Sequence, residues 1–267
     1  MERGSLSIVG IGPGSFAQTT QRAAEVLHGV DLIVGYEGYI EQVRAWLPSQ
    51  RYLASPITHE LERAQLAVDH ALRSERVALI GSGDAGVYGL AGLVLELLAE
   101  RDAAALPLEI VPGVTAALSA AALLGAPLGH DFAAVSLSDL LTPWETIVRR
   151  LEAVAAADFV TVLYNPASRR RRRQLEDARS IFLKHRSRET PVGLVADAYR
   201  PAQRIGISTL AAFDANAVDM LTTIIIGNRT TFRWRDRLIT PRGYLTPQPP
   251  SLERKGELTH DKEGGAN

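Results

Sequence analysis

Leu6-Ser7-Ile8-Val9-Gly10-Ile11-Gly12-Pro13-Gly14 stands near the start of the chain, a short apolar run that ends in three glycines separated by single residues. A buried strand running directly into a glycine-rich turn is how a parallel β-α-β unit opens. Outward from it, a helical pattern over residues 18–30 and a second apolar run at 32–34 continue the rhythm. Leu61, Ala64, Val68, Ala71 and Leu72 recur at helical spacing, and residues 76–80 then read as another buried strand. A helix over 89–100 and a strand at 108–111 complete the first half. The spacing predicts an α/β protein whose first sheet is mostly parallel.

Beyond that sheet, Pro112, Gly113, Gly125, Pro127 and Gly129 bracket a single alanine-rich helix, which places a domain boundary there, with residues 1–114 in one α/β domain and 115–244 in a second. The second half predicts strands at 132–137, 159–164, 191–195, 203–208 and 222–226 and helices at 144–157 and 169–185. Its later strands follow one another closely enough to pair antiparallel, so a mixed sheet is expected. Residues 245–267 are polar and rich in proline and glycine, and are expected to be a disordered tail.

With 29 basic and 30 acidic residues the formal net charge is −1, so no whole-molecule field draws in a nucleic acid or an anionic membrane. Cysteine is absent, which excludes disulfides, thiolate nucleophiles and cysteine-based zinc sites. The histidines lack metal-ligand spacing, and no Gly-x-Ser-x-Gly elbow occurs, so neither a bound metal nor a serine hydrolase is expected. Residues 1–7 show no signal-peptide succession and no run reaches membrane-spanning length. A cytoplasmic protein is the expectation.

Three strand ends carry the candidate chemistry. Gly10-Ile11-Gly12-Pro13-Gly14 departs from the dinucleotide fingerprint, because Ser15 replaces its last glycine and Pro13 removes an amide. Gly81-Ser82-Gly83-Asp84-Ala85-Gly86-Val87-Tyr88-Gly89 sits where open α/β sheets bind ligands; Asp84 there either caps the following helix or accepts hydrogen bonds from a ligand, and spacing favours the cap. Thr115, after Pro112-Gly113, is likewise a helix cap whose hydroxyl is able to face a ligand. Arg169 to Arg173 form a five-arginine run read as a solvated face, a nucleic-acid stripe, or a grip for carboxylates; balanced net charge argues against the stripe.

Taken in order, Val9–Gly14, Ser82–Gly89 and Val111-Pro112-Gly113-Val114-Thr115-Ala116-Ala117 resemble the three loops of the tetrapyrrole methylase family. Ser136-Leu137-Ser138-Asp139-Leu140-Leu141-Thr142-Pro143-Trp144, Leu163-Tyr164-Asn165-Pro166 and Asp219–Asn228 resemble its branch that methylates carbon 17 of a cobalamin precursor while contracting the ring. The resemblance implies two α/β domains around a cleft, S-adenosyl-L-methionine as cofactor, a polycarboxylate tetrapyrrole as substrate, and a homodimer. Carried over by position, it implies cofactor contacts at Pro13, Gly83, Asp84, Val87, Thr115, Ala116, Tyr164, Ala196 and Thr223. A polycarboxylate would give Arg170 and Arg173 something to hold. Asp84, Tyr88, Ser138 and Asp139 are the candidates for acid–base or orienting work, because loops at strand ends carry function in such folds. The alternatives are another tetrapyrrole or RNA methyltransferase of the same fold, or a non-catalytic nucleotide-sensing protein.

Overall fold

Residues 4–168 and 171–245 are described by a computed structural model. The first sheet is built from β1 (Ser5–Gly10), β2 (Leu32–Tyr36), β3 (Tyr52–Ser55), β4 (Arg76–Gly81) and β5 (Leu108–Val111), in the order β3-β2-β4-β1-β5. Every pair in it is parallel, as the apolar runs predict. The crossovers are α1 (Gln21–Gly29), α2 (Glu37–Arg44), α3 (Glu60–Leu72) and α4 (Ala91–Glu100). Leu6, Ile8, Val34 and Leu79 pack beneath α3 and α4, while Val9, Ile33 and Ile80 pack beneath α1 and α2. Burial on both faces is why these strands read as continuous apolar runs instead of alternating ones.

Neighbouring strands β1 and β4 send their chains to opposite faces, β1 toward α1 and β4 toward α4. The loops beyond their carboxyl ends therefore diverge and leave a crevice, the general position of ligand sites in open α/β sheets.

After β5 the chain enters α5 (Ala116–Leu124), a short strand β6 (Gly125–Ala126), β7 (Phe132–Ser136), α6 (Trp144–Ala156), β8 (Val160–Tyr164), α7 (Arg173–His185), β9 (Pro191–Ala196), β10 (Arg204–Thr209) and β11 (Thr222–Ile226), and ends in β12 (Phe232–Trp234) and β13 (Arg237–Ile239). The second sheet runs β10-β9-β11-β8-β7 and is mixed: β7 and β8 are parallel, whereas β8–β11, β11–β9 and β9–β10 are antiparallel. Its one face packs against α6 and α7 through Leu163, Ile224, Leu151 and Phe182. Its other face packs against α5 through Val160, Val162, Val195 and Ile225. A small sheet β12-β13-β6 closes the chain's described end.

The expected helix over 169–185 is shorter than the sequence pattern suggests, because α7 starts only at Arg173. The side chain of Arg171 turns inward instead and donates to the carbonyls of Leu137 (2.7 Å) and Asn165 (2.6 Å), which holds the preceding turn out of helical geometry. Arg170 and residues 246–267 of the expected tail lie outside the described residues.

Arg186 is a buried cation that ties elements together. Its guanidinium lies over the Phe182 ring, donates to the carbonyls of Gly227 and Phe159, and reaches Val154 O at 3.3 Å. Burial pulls its pKa down to about 10, with Asp158 at 3.8 Å acting in the opposite direction. Replacing Arg186 with methionine is expected to destabilise the chain by about 3 kcal/mol, because buried carbonyls lose their donors. Urea denaturation with an unchanged slope and a lowered midpoint is the expected observation.

Candidate active site

Glycines let three loops touch. The loops after β1 and β4 are joined by a reciprocal pair of hydrogen bonds, Gly12 N to Gly83 O at 3.0 Å and Gly83 N to Gly12 O at 2.8 Å. Both residues have positive φ, +76° and +67°, which glycine adopts without steric penalty. At Gly113, in the third loop, a Cβ atom would lie 2.0 Å from Gly83 O and 2.6 Å from Gly10 O. Gly81 differs, since a Cβ there would meet nothing within 4 Å. The junction thus has sites where only glycine fits and an open place beside them where a ligand is able to lie.

Asp84 fastens this junction. Its Oδ1 accepts from Gly86 N (2.8 Å) and Val87 N (3.0 Å), and its Oδ2 accepts from Gly113 N (3.0 Å). The cap expected from spacing is not formed, because α4 begins later, after Leu90, with no side-chain cap. Asp84 instead closes a local turn and binds the second loop to the third.

The carboxyl ends of the second sheet meet these loops. Tyr164, at the end of β8, places its hydroxyl 2.7 Å from Thr115 Oγ1 and accepts from Ala117 N at 3.0 Å. Thr115 is the N-cap residue of α5 but makes no side-chain cap bond; the phenol of Tyr164 satisfies the helix amide in its place. Tyr88 comes from the second loop, packs its ring 4.9 Å from that of Tyr164, and donates to Ala134 O (3.1 Å) on β7. Its φ of +53° is unusual for a residue other than glycine, and such conformations concentrate at functional sites. Burial pushes its pKa above the usual phenol value, opposed by the amide of Ser136, so at neutral pH it is a hydrogen-bond donor and a poor base.

Thr223 and Tyr164 share the face of the second sheet that carries α5, following Ile225, Val160 and Val162 on alternate positions. Ala196 pairs in register with Thr222 and, by the same alternation, takes the opposite face. Ser138 and Asp139 form a separate cluster beside β7. Ser138 N donates to Ser136 Oγ (3.2 Å), which also receives Asn165 Nδ2 (3.0 Å). Asp139 accepts from Gln174 (2.8 Å) and lies 3.7 Å from Arg171.

Arg173 is not brought to this assembly. Its side chain is 89% exposed and pairs with Asp177 one turn along α7 at 3.5 Å, which is the geometry of a solvated face. The sequence reading missed Arg200, between β9 and β10, whose Nε donates to Pro13 O at 2.9 Å and whose Nη2 donates to Ser82 Oγ at 3.3 Å. An arginine directly before Pro201 at a strand end was the available signal. An open depression of about 570 Å³, lined by Glu189, Ile207, Thr209 and Phe232 among others, flanks edge strand β10 and holds none of the candidate residues. Among the described residues no group of His, Asp and Glu is arranged to hold a metal ion, and no helix is long and apolar enough to cross a membrane.

The family model of tetrapyrrole (corrin/porphyrin) methylases matches residues 5–214, which include all three loops, β8 and Arg200. The chain belongs to the tetrapyrrole methylase family. It is 48% identical over 245 residues to the cobalt-factor III methyltransferase of Priestia megaterium, covering 91% of this chain but 45% of that longer protein. It is 45% identical over 239 residues to a probable cobalt-factor III C(17)-methyltransferase of Salmonella typhimurium, covering 90% of this chain and 99% of that one. The precorrin-3B C(17)-methyltransferase of Sinorhizobium sp. is 42% identical over 248 residues, covering 90% of this chain and 97% of that one. Among solved structures, the methyltransferase CobJ superposes with a TM-score of 0.84 at 33% identity, covering 89% of this chain and all of that one. A uroporphyrin-III C-methyltransferase from Thermus thermophilus, complexed with S-adenosylhomocysteine, shares the fold with a TM-score of 0.65 at 24% identity over 84% of this chain and 97% of that one.

Proposed function

We propose that the chain is an S-adenosyl-L-methionine-dependent C-methyltransferase that methylates carbon 17 of a cobalamin-precursor tetrapyrrole and contracts the ring. The observation that carries this reading is the 45% identity to the Salmonella relative over nearly that protein's entire length. The glycine junction, with its open position at Gly81, supports a cofactor site where the loops of the first sheet face the ends of the second. Cytoplasmic location and homodimeric assembly go with the reading as further proposals, as does the division of the chain into residues 1–114 and 115–244.

The methyl-transfer step needs position more than side-chain chemistry. Bound S-adenosyl-L-methionine supplies an electrophilic sulfonium methyl group. The protein holds that group in line with the ring carbon and excludes water, so effective concentration carries much of the barrier reduction. On this reading Pro13, Gly83, Val87, Thr115, Ala116, Tyr164 and Thr223 contact the cofactor, and Ala196, whose side chain takes the opposite face, contributes only backbone at the end of β9. Asp84 acts through the amides it fixes, and its carboxylate is committed to three of them. Tyr88 is the proposed orienting group: its phenol stays protonated at neutral pH and is held by Ala134 O and the ring of Tyr164. Ser138 and Asp139 are assigned to shaping the β7 end of the site, and Arg170 remains a proposed contact for substrate carboxylates, whereas Arg173 belongs to the solvated face of α7.

Mass spectrometry after incubating the full chain with S-adenosyl-L-methionine and, in parallel, metal-free precorrin-3B and its cobalt-bearing counterpart tests the reading. One added methyl on either acceptor is the expected result, and which acceptor gains it assigns the metal state of the substrate. Neither gaining a methyl while S-adenosylhomocysteine binds would overturn the assignment.

A further inference from the structure

Arg200 crosses from the second sheet to the first by a strained turn. Asp197 and Tyr199 both have positive φ, 50° and 59°, and the turn is closed by Arg200 N to Asp197 O (2.9 Å) and Tyr199 N to Gln203 Oε1 (2.7 Å). Its stem passes directly over Gly14, where a Cβ would lie 2.2 Å from Arg200 Cγ. The last glycine of the first loop therefore leaves room for a side chain that comes from far along the chain, beyond β9.

The guanidinium ends beside Pro13 O and Ser82 Oγ, and both acceptors are neutral. Arginines elsewhere in the chain meet carboxylates: Arg22 with Glu109, Arg101 with Asp69, Arg229 with Asp158. Among the described residues no carboxylate oxygen lies within 4.0 Å of Arg200. Nor does one lie near the buried Arg63, which donates to Ser55 Oγ (2.8 Å) and Pro56 O (2.7 Å). Arg200 thus reaches the crevice with its charge unmatched by any carboxylate of the described residues. A guanidinium has five N–H groups in a planar fork, and the two contacts made here leave the rest of that fork unfilled.

We propose that Arg200 is the receptor for a ligand carboxylate in this crevice, gripping it while bracing the first two loops from the second sheet. The inference rests on the methyltransferase reading, which offers two sources of that carboxylate: the amino-acid end of the cofactor, and an acidic side chain of the tetrapyrrole.

The test uses the full chain and its Arg200→Gln and Arg200→Lys variants. Calorimetry measures binding of S-adenosylhomocysteine and of methylthioadenosine, which lacks the amino-acid portion, and turnover measures KM for the tetrapyrrole at low and high salt. If the cofactor supplies the carboxylate, Arg200→Gln weakens S-adenosylhomocysteine about tenfold and leaves methylthioadenosine unchanged. If the tetrapyrrole supplies it, Arg200→Gln raises its KM about tenfold and flattens the dependence of KM on salt. In either case Arg200→Lys falls between the two, having the charge without the fork. Unchanged binding and KM overturn the proposal, as does equal weakening of both adenosyl ligands with the salt dependence of KM intact, since that is a brace alone. A wild-type chain that binds neither adenosyl ligand and methylates neither tetrapyrrole removes the parent reading and this inference with it. An active wild type with indifferent variants removes only the role of Arg200.

Discussion

Replacing Gly113 with alanine is expected to destabilise the protein by about 2–3 kcal/mol, the upper part of the range for overpacking, and to abolish measurable binding of S-adenosylhomocysteine. The added Cβ would meet the carbonyl oxygens of Gly83 at 2.0 Å and Gly10 at 2.6 Å. Both are backbone atoms, Gly10 at the end of β1 and Gly83 in the second loop, so no side chain is available to swing aside. Relief requires the third loop to move away from the other two, which also pulls Gly113 N from Asp84 Oδ2. Gly92→Ala provides the contrast. That glycine lies inside α4 and a Cβ there meets nothing, so the change is expected to stabilise by about 0.5–1 kcal/mol through helix propensity and to leave binding unaltered. Urea denaturation and calorimetry on both variants distinguish a crowded junction from a general intolerance of glycine replacement.

Asp84→Ala is expected to have a comparably large effect, a loss of about 3 kcal/mol, because three backbone amides lose a charged acceptor together. Asp84→Asn separates the two roles available to this residue. An amide group keeps one oxygen for Gly86 and Val87 but turns a donor toward Gly113 N, so a residue that holds loops loses part of its stability and cofactor affinity on this change. A residue that carries a proton would instead keep both and lose turnover. The geometry leads to the first outcome: a lowered denaturation midpoint, weaker S-adenosylhomocysteine binding, and a fall in kcat/KM that follows the fall in affinity.

The strands of the first sheet were readable because burial on both faces writes them as apolar runs between helical patterns, and the antiparallel half of the second sheet was readable from the close spacing of its strands. Strand β3 was not, since it lies at the sheet edge with its four residues only partly covered and no period to detect. Glycine positions marked the three loops, but their reason lay in contacts across the chain: Gly113 is glycine because of Gly83 and Gly10, and Gly14 because of Arg200. Local spacing misled at Asp84, where it favoured a helix cap and the structure forms a tie between loops. It also misled in the arginine run, where Arg171 is drawn in by carbonyls of Leu137 and Asn165 that no local pattern announces. Tyr164 reached the candidate list by resemblance alone, and its substitution for a helix cap rests on an amide 47 positions away.

A crystal structure of the full chain with S-adenosylhomocysteine decides whether the three glycine loops and the ends of the second sheet form one cofactor site. The expected result is ligand density in the space beside Gly81, against Gly83, Val87, Thr115 and Ala116, with the Tyr164 hydroxyl still bound to Ala117 N. Density in the depression beside β10, or anywhere that leaves those loops untouched, would show that the glycine junction is not the cofactor site.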